Sequence, residues 1–311
     1  MAIYSWALES ATYRASWDIQ NYESYLLSQG QPYEKALLGA AQEYAAECAL
    51  LKVFGSEVLD YVADEAVQIH GGYGYSAEYP VERAYRDSRI NRIYEGTNEI
   101  NRMLSLDYLL RKAMKGELDL LSAAMKVQSK LMSIPDFGGE NGEFLAHEKK
   151  AIHNLKKAIR MVAGYAAQKY MQALAEEQEI LMAIADMLLD TYVVESMLLR
   201  VEKLSRQRGE SAIADELAML RVYLLESQER AAAASRRAIL HASAGDEQRV
   251  LLMGLKRLTK PIEIDAIALR RQIAKTLIEA NRYPYGVCYK MGGPPGLPAS
   301  PLPRGDREAL S

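Results

Sequence analysis

The chain is poor in the residues that build disulfide and metal frameworks. Its 311 residues include two cysteines and four histidines. Cys48 and Cys288 lie far apart in different kinds of segment. No disulfide framework or paired-cysteine metal site is expected, in keeping with a reducing compartment. His147 and His153 do not share a helix face as the histidines of a zinc-protease helix do, so no metal site is expected. Long uncharged runs are also missing. The most apolar window, Ile180–Leu199, is broken by Asp186, Asp190 and Glu195, whereas a membrane span needs about 20 nearly uncharged residues. The opening stretch MAIYSWALES has no basic start and no long apolar run, so no secretory signal is expected there. Nor is there a basic excess: the formal net charge is -3, which argues against a nucleic-acid partner. These absences point to a soluble protein.

Period-two alternation is scarce, and no repeat of fixed period is found. What is present is helix-forming: Ala, Leu, Glu, Lys, Arg and Met dominate, 49% of residues are hydrophobic and 25% are charged. The expected fold is all-α, a long antiparallel helical bundle followed by a second helical domain. A helical pattern is already running at Ile3, Tyr4, Leu8 and Ala11 with no capping residue before it. The chain is therefore expected to begin partway through a larger protein. A second helix is expected from Pro32, with a stripe at Leu37, Ala41, Tyr44, Cys48, Leu51, Gly55, Val58, Val62, Ala66 and Ile69. Its length, about 36 residues, corresponds to a rod of roughly 54 Å. Gly71 and Gly72 end it. A shorter helix follows Pro80, and Ile93–Gly96 breaks the pattern. Thr97 or Asn98 then caps a helix running to Lys115.

Ser133–Gly142 is the best boundary, being rich in Gly, Pro, Asn and Asp. Beyond it, helices are expected over Phe144–Glu176, Glu177–Arg208, Ser211–His241, Asp246–Thr259 and Ile262–Asn281. The expected organisation is a first helical domain at 1–118, a connector at 119–142, an accessory helical domain at 143–283 and a disordered Pro/Gly-rich tail at 284–311.

The densest polar chemistry lies in Gln68–Tyr75, Glu78–Arg89 and Arg92–Arg102. By composition alone this is an ion-paired connector between apolar helices. Its motifs, however, occur in a recognisable order. Gln68-Ile-His-Gly-Gly-Tyr-Gly-Tyr75 is followed by Tyr79-Pro-Val-Glu-Arg83, Tyr85-Arg-Asp87 and Ile93-Tyr-Glu-Gly-Thr-Asn-Glu-Ile-Asn-Arg102. This set resembles the acyl-CoA dehydrogenase family over about residues 1–115, the last helical domain of that family's catalytic core. The block after residue 140 resembles the extra helical domain of the very-long-chain branch in length, helicity and placement. Compared with a full member, the chain is expected to begin inside the third domain. The amino-terminal helical domain and central β-domain of such a member are expected to have no counterpart in these residues.

The resemblance implies an FAD-dependent enzyme of fatty-acid β-oxidation that makes 2,3-enoyl-CoA from acyl-CoA. It places the catalytic base at Glu95. Tyr94 and Gly96 are the implied substrate contacts. Gln68, Ile69, His70, Gly71 and Gly72 are the implied contacts to FAD of a neighbouring subunit, and Thr97, Asn98 and Glu99 the FAD contacts after the base. His70 by itself reads as a packing or hydrogen-bonding residue. A weak carbon acid needs a base of raised pKa, which burial beside an acyl chain and a flavin would supply. Gly96 would let the backbone pass close to substrate, and a helix N-terminus after Thr97 suits a phosphate-bearing ligand. Arg83, Arg86, Asp87 and Arg89 read as an ion-pair network holding the turn.

The implied partners are acyl-CoA, electron-transfer flavoprotein and further copies in a homodimer or higher homo-oligomer. The implied location is the bacterial cytoplasm, or the mitochondrial matrix in a eukaryote. The other class is a non-enzymatic helical module docking to dehydrogenase chains or to a membrane surface. The basic runs Arg200–Arg208 and Arg230–Arg237 read more simply as solvated faces.

Overall fold

A computed structural model of the chain describes residues 1–119, 122, 125–127 and 142–286. Most of the expected connector, most of the expected tail and Cys288 lie outside the described residues. Among the described residues there is no strand. The first block contains α1 (Ala2–Ser28), α2 (Tyr33–Glu43), α3 (Ala45–His70), α4 (Pro80–Ile90) and α5 (Asn98–Met114). The second contains α6 (Ala146–Tyr170), α7 (Gln178–Arg208), α8 (Ala214–Ala242), α9 (Gly245–Leu258) and α10 (Ala266–Ala280). The all-α expectation therefore holds, and most helix ends fall within a few residues of those read from the sequence.

The rod expected from Pro32 is two helices, broken at Tyr44, whose backbone sits at φ -104° and ψ 21°. α2 buries Ala36 and Ala40, and α3 buries Ala46, Ala49, Leu50, Val53 and Phe54. A continuous helix would carry the first stripe through positions 43, 47, 50 and 54, and Leu50 and Phe54 are buried, so the interruption leaves the same face turned to the core. Part of the expected stripe holds: Val58 is buried and Leu51 and Val62 pack against the core, whereas Leu37, Ala41, Cys48 and Ile69 are exposed. Close approach fixes α2 on α1, where a Cβ at Gly39 would lie 2.9 Å from Leu26 Cδ1.

One core runs through both blocks. Trp6 and Ala11 of α1, Val53 of α3, Met187 and Val193 of α7 and Tyr223 of α8 all belong to it. α1 packs on α7 and α8, and α5 packs on α7. Arginines seal the seam. Arg200 lies 4.7 Å over the Trp6 ring and donates to Glu9 Oε2 at 3.2 Å. Arg14 lies 4.7 Å over the Tyr192 ring and donates to Glu195 Oε2 at 3.1 Å.

At this seam Glu47 keeps a buried carboxylate oxygen, Oε2, without a hydrogen-bond partner among the described residues. Burial pushes its carboxyl above the ordinary glutamate range, against the lowering effects of its own backbone N–H, Lys112 and Arg14 and with the raising effect of Glu43. A raised folded-state pKa means that the folded protein holds this proton better than the unfolded chain. Stability is then lost as pH rises from the ordinary glutamate value through the folded value. Glu47→Gln cannot ionise and escapes that loss. Its thermal midpoint should exceed that of the unsubstituted chain at pH 7 and match it near pH 4. A midpoint lowered equally at both pH values would contradict this.

Candidate functional site

The turn between α4 and α5 carries the site's most unusual backbone. Glu95 sits at φ 55° and Gly96 at φ 82°, two successive residues in the left-handed region. Such conformations cost a non-glycine residue free energy and persist where surrounding contacts impose them. Asn101, one turn into α5, supplies the nearest of these contacts. Its Nδ2 donates to the carbonyls of Gly96 at 2.8 Å, Thr97 at 3.2 Å and Glu95 at 3.4 Å. A Cβ at Gly96 would lie 2.9 Å from that same nitrogen, so glycine is required there on two grounds.

A second set of contacts comes from α3. Lys52 Nζ donates to the Gly96 carbonyl at 2.7 Å and to Asn98 Oδ1 at 3.0 Å. Asn98 is buried, and its Nδ2 donates to Ser56 Oγ at 2.9 Å and to Glu57 Oε1 at 3.2 Å. Arg102 grips Glu57 with both terminal nitrogens, at 2.9 and 3.1 Å. Its Nε donates to Asp186 Oδ1 of α7 at 2.6 Å. Arg92 pairs with Asp60 at 3.3 Å.

The ion pairs that hold the turn are thus those of Arg92 and Arg102. Of the expected set, Arg86 reaches Glu82 of its own helix, and that pair does not touch the turn. Lys52, Ser56, Glu57, Asn101 and Asp186 were missed in reading the sequence. The available signal was the polar strip Lys52, Ser56, Glu57 and Asp60 interrupting an apolar helix.

Glu95, Tyr94 and Gly96 are exposed. The Tyr94 hydroxyl donates to Asn91 Oδ1 at 2.6 Å. Ile93 and Tyr94, 47% and 48% exposed, set apolar surface beside the carboxylate. Burial of Glu95, expected from the chemistry, is not supplied by this chain alone. Among the described residues the Glu95 N–H donates to no backbone carbonyl, which leaves a directed donor next to the carboxylate.

The expected cofactor residues form two groups. Thr97 caps α5, its Oγ1 accepting from Ile100 N at 3.3 Å. Asn98 N donates to Arg92 O at 3.2 Å and Asn101 N to Thr97 O at 2.9 Å. Glu99's own backbone N–H, and then the Thr97 hydroxyl, hold its carboxyl below the usual carboxylate range. The first turn of α5 therefore has its donors engaged and a carboxylate over it, which disfavours a phosphate. The Asn98 side chain faces inward, bonded to Ser56 and Glu57 of α3.

The other group lies at the far end of α3. Gln68, Ile69, His70, Gly71 and Gly72 are exposed. His70 Nδ1 lies 2.8 Å from the Ala66 carbonyl, a local hydrogen bond as expected. Gly71 sits at φ 61°, and a Cβ built at Gly71 or Gly72 would meet nothing within 4 Å. Bare backbone therefore faces open space here, a surface that fits close approach by a large cofactor. Twelve residues of helix, roughly 18 Å, separate Ser56 beside the turn from Gln68. The chain does not bring these two groups together.

Two family models, each described as acyl-CoA dehydrogenase, C-terminal domain, match residues 29–110 and 154–257. A probable acyl-CoA dehydrogenase of Bacillus subtilis is 40% identical over 284 residues, covering 91% of this chain and 48% of that relative. The crystal structure of an acyl-CoA dehydrogenase complexed with FAD from Bacillus anthracis superposes with a TM-score of 0.85 at 45% identity, over 91% of this chain and 48% of that one. A caffeyl-CoA reductase–Etf complex subunit of Acetobacterium woodii is 48% identical over 66 residues, 21% of this chain and 17% of its own. The chain spans about half the length of the Bacillus relatives it matches.

Proposed function

Because the chain belongs to the acyl-CoA dehydrogenase family, we propose that it supplies the catalytic base of an FAD-dependent enzyme converting fatty acyl-CoA thioesters to 2,3-enoyl-CoA. The observation that carries this reading is the Glu95–Gly96 turn. A carboxylate and an unengaged N–H of one residue stand side by side on a backbone held in the left-handed region. The Glu95 carboxylate takes the α-proton: the Cα–H bond breaks, an O–H bond forms, and the electron pair becomes the second bond between Cα and Cβ. The Glu95 N–H is placed to donate to the thioester carbonyl oxygen, where negative charge gathers as the proton leaves. Ile93 and Tyr94 offer apolar cover that, once substrate is bound, would exclude water from the carboxylate. Bound FAD supplies the acceptor for the β-hydrogen as hydride. Gln68, Gly71 and Gly72 would hold it through backbone and amide groups. Thr97 and Glu99 would meet hydroxyl groups rather than phosphate, as their charge and engaged donors require. Asn98 would act from beneath the turn.

Acyl-CoA is the proposed substrate and electron-transfer flavoprotein the proposed acceptor, in a homo-oligomer of the bacterial cytoplasm. Among the described residues no helix is long and apolar enough to cross a membrane.

The alternative, a helical module that docks to other dehydrogenase chains, draws support from the exposed Tyr13, Trp17, Tyr33 and Leu38. One experiment separates the two. The chain is co-expressed with the amino-terminal half of its Bacillus anthracis relative and supplied with FAD and acyl-CoA. The expected result is bound flavin absorbance and enoyl-CoA formation with a dye acceptor. A stable, flavin-loaded complex without enoyl-CoA formation would favour the docking module.

A further inference from the structure

The two helical blocks meet at the site itself. α5, which leaves the Glu95–Gly96 turn, packs on α7 of the second block. Asp186 of α7 accepts from Arg102 Nε at 2.6 Å. The other two nitrogens of that guanidinium clasp Glu57. Glu57 Oε1 also accepts from Asn98 Nδ2 at 3.2 Å, and Asn98 Oδ1 accepts from Lys52 Nζ at 3.0 Å. Lys52 then donates to the Gly96 carbonyl at 2.7 Å. An unbroken line of hydrogen bonds thus runs from the second block to the backbone of the turn.

We propose that Asp186 is a positioning residue for the Glu95–Gly96 turn, acting through Arg102, Glu57, Asn98 and Lys52. For its catalytic consequence the inference rests on the reading of Glu95 as base. The geometry gives Asp186 a specific task. A guanidinium gripped bidentately on one side can still swing about that edge. A carboxylate on Nε closes the remaining edge and fixes the plane of the fork. With the plane fixed, Glu57 presents Oε1 to Asn98 at a set angle, and the Asn98 amide keeps its oxygen turned to Lys52. Arg102 is 12% exposed and Asp186 41%. Loss of the outer carboxylate therefore opens no core cavity, and its effect should travel along the line rather than through general unfolding.

The test reads the turn directly in the full chain. Hydrogen exchange is followed in peptides covering residues 93–104, where the Asn98, Ile100 and Asn101 amides depend on the turn. Asp186→Ala is expected to speed exchange there about 10-fold and leave α8 unchanged. Asp186→Glu is expected to restore most of the protection. Asp107→Ala, which removes the exposed partner of Arg111 on the same helix, should change nothing at the turn. Unchanged exchange in Asp186→Ala would overturn the inference, and so would equal loss in Asp186→Glu. If Asp186→Ala does not fold, Asp186→Asn gives the same readout. In the co-expressed enzyme, Asp186→Ala should lower kcat about 10-fold with KM for acyl-CoA unchanged. If the unsubstituted enzyme shows no dehydrogenation, the reading of Glu95 fails and the exchange result still decides the positioning claim.

Discussion

Glu95→Gln is expected to lower the rate of dehydrogenation by ~10²–10⁴-fold, the range a positioned general base contributes. The exchange keeps the size of the side chain and a hydrogen-bonding group while removing its ability to take a proton. Glutamine should tolerate φ 55° as glutamate does, because the conformation is imposed by Asn101 and Lys52 acting on neighbouring carbonyls. The backbone N–H survives, so the proposed donor to the thioester carbonyl is kept. Flavin content should be unaffected, since none of the residues facing the proposed cofactor is altered. The check is rapid-mixing measurement of flavin bleaching by acyl-CoA in the co-expressed enzyme, beside its bound-flavin spectrum. Bleaching within about tenfold of the unsubstituted rate would remove Glu95 from the role of base.

Tyr223→Ala should cost about 3–5 kcal/mol of stability, the range for deleting a large aromatic side chain from a core. Tyr223 is fully buried. Its ring centroid lies 5.6 Å from that of Tyr4 in α1 and 6.2 Å from that of Phe54 in α3. Arg230 sits 5.2 Å over the ring, and the hydroxyl donates to Asp190 Oδ1 at 3.3 Å. One side chain therefore touches helices of both blocks. Tyr223→Phe keeps the packing and gives up a single hydrogen bond, for a loss of about 1 kcal/mol. Urea melts followed by far-ultraviolet circular dichroism would read both values. Since the core is continuous, Tyr223→Ala should shift one transition as a whole. A two-step melt in which α1–α5 keep their midpoint would show that the blocks are energetically separate.

Much of this arrangement is legible in the sequence, for reasons of range. Helix starts and stops depend on residues a few positions apart. Pro80, Thr97, Gly71 and the break at Ile93–Gly96 accordingly mark real ends. The phase of a buried stripe depends on what a helix faces. The break at Tyr44 stayed hidden because Ala and Leu recur on both sides of it and no Gly or Pro marks it. The candidate base was legible through a motif, but the supports of its turn were not. Lys52 lies 44 residues from Gly96, Glu57 45 from Arg102, and Arg102 84 from Asp186. No periodic pattern connects such positions. The inward turn of Asn98 was hidden for the same reason, since its partners belong to another helix. Thr97 and Glu99 teach a related point. A helix start is easy to find in a sequence, but whether its donors are free is decided by capping.

α3 supports the Glu95–Gly96 turn at mid-length through Lys52, Ser56 and Glu57 and ends at Gly71 beside the proposed cofactor surface. It therefore acts as a gauge, fixing both the distance and the angle between the turn and the glycine edge, two surfaces that never meet in this chain. A helix advances about 1.5 Å and turns about 100° per residue. A single-residue insertion between Glu57 and Gln68 would scarcely lengthen the gauge, yet it would swing the glycine edge by more than a quarter turn. An insertion of seven residues, close to two full turns, would preserve the angle and add roughly 10 Å. Neither change keeps both quantities, so the length of this segment of α3 sets both at once.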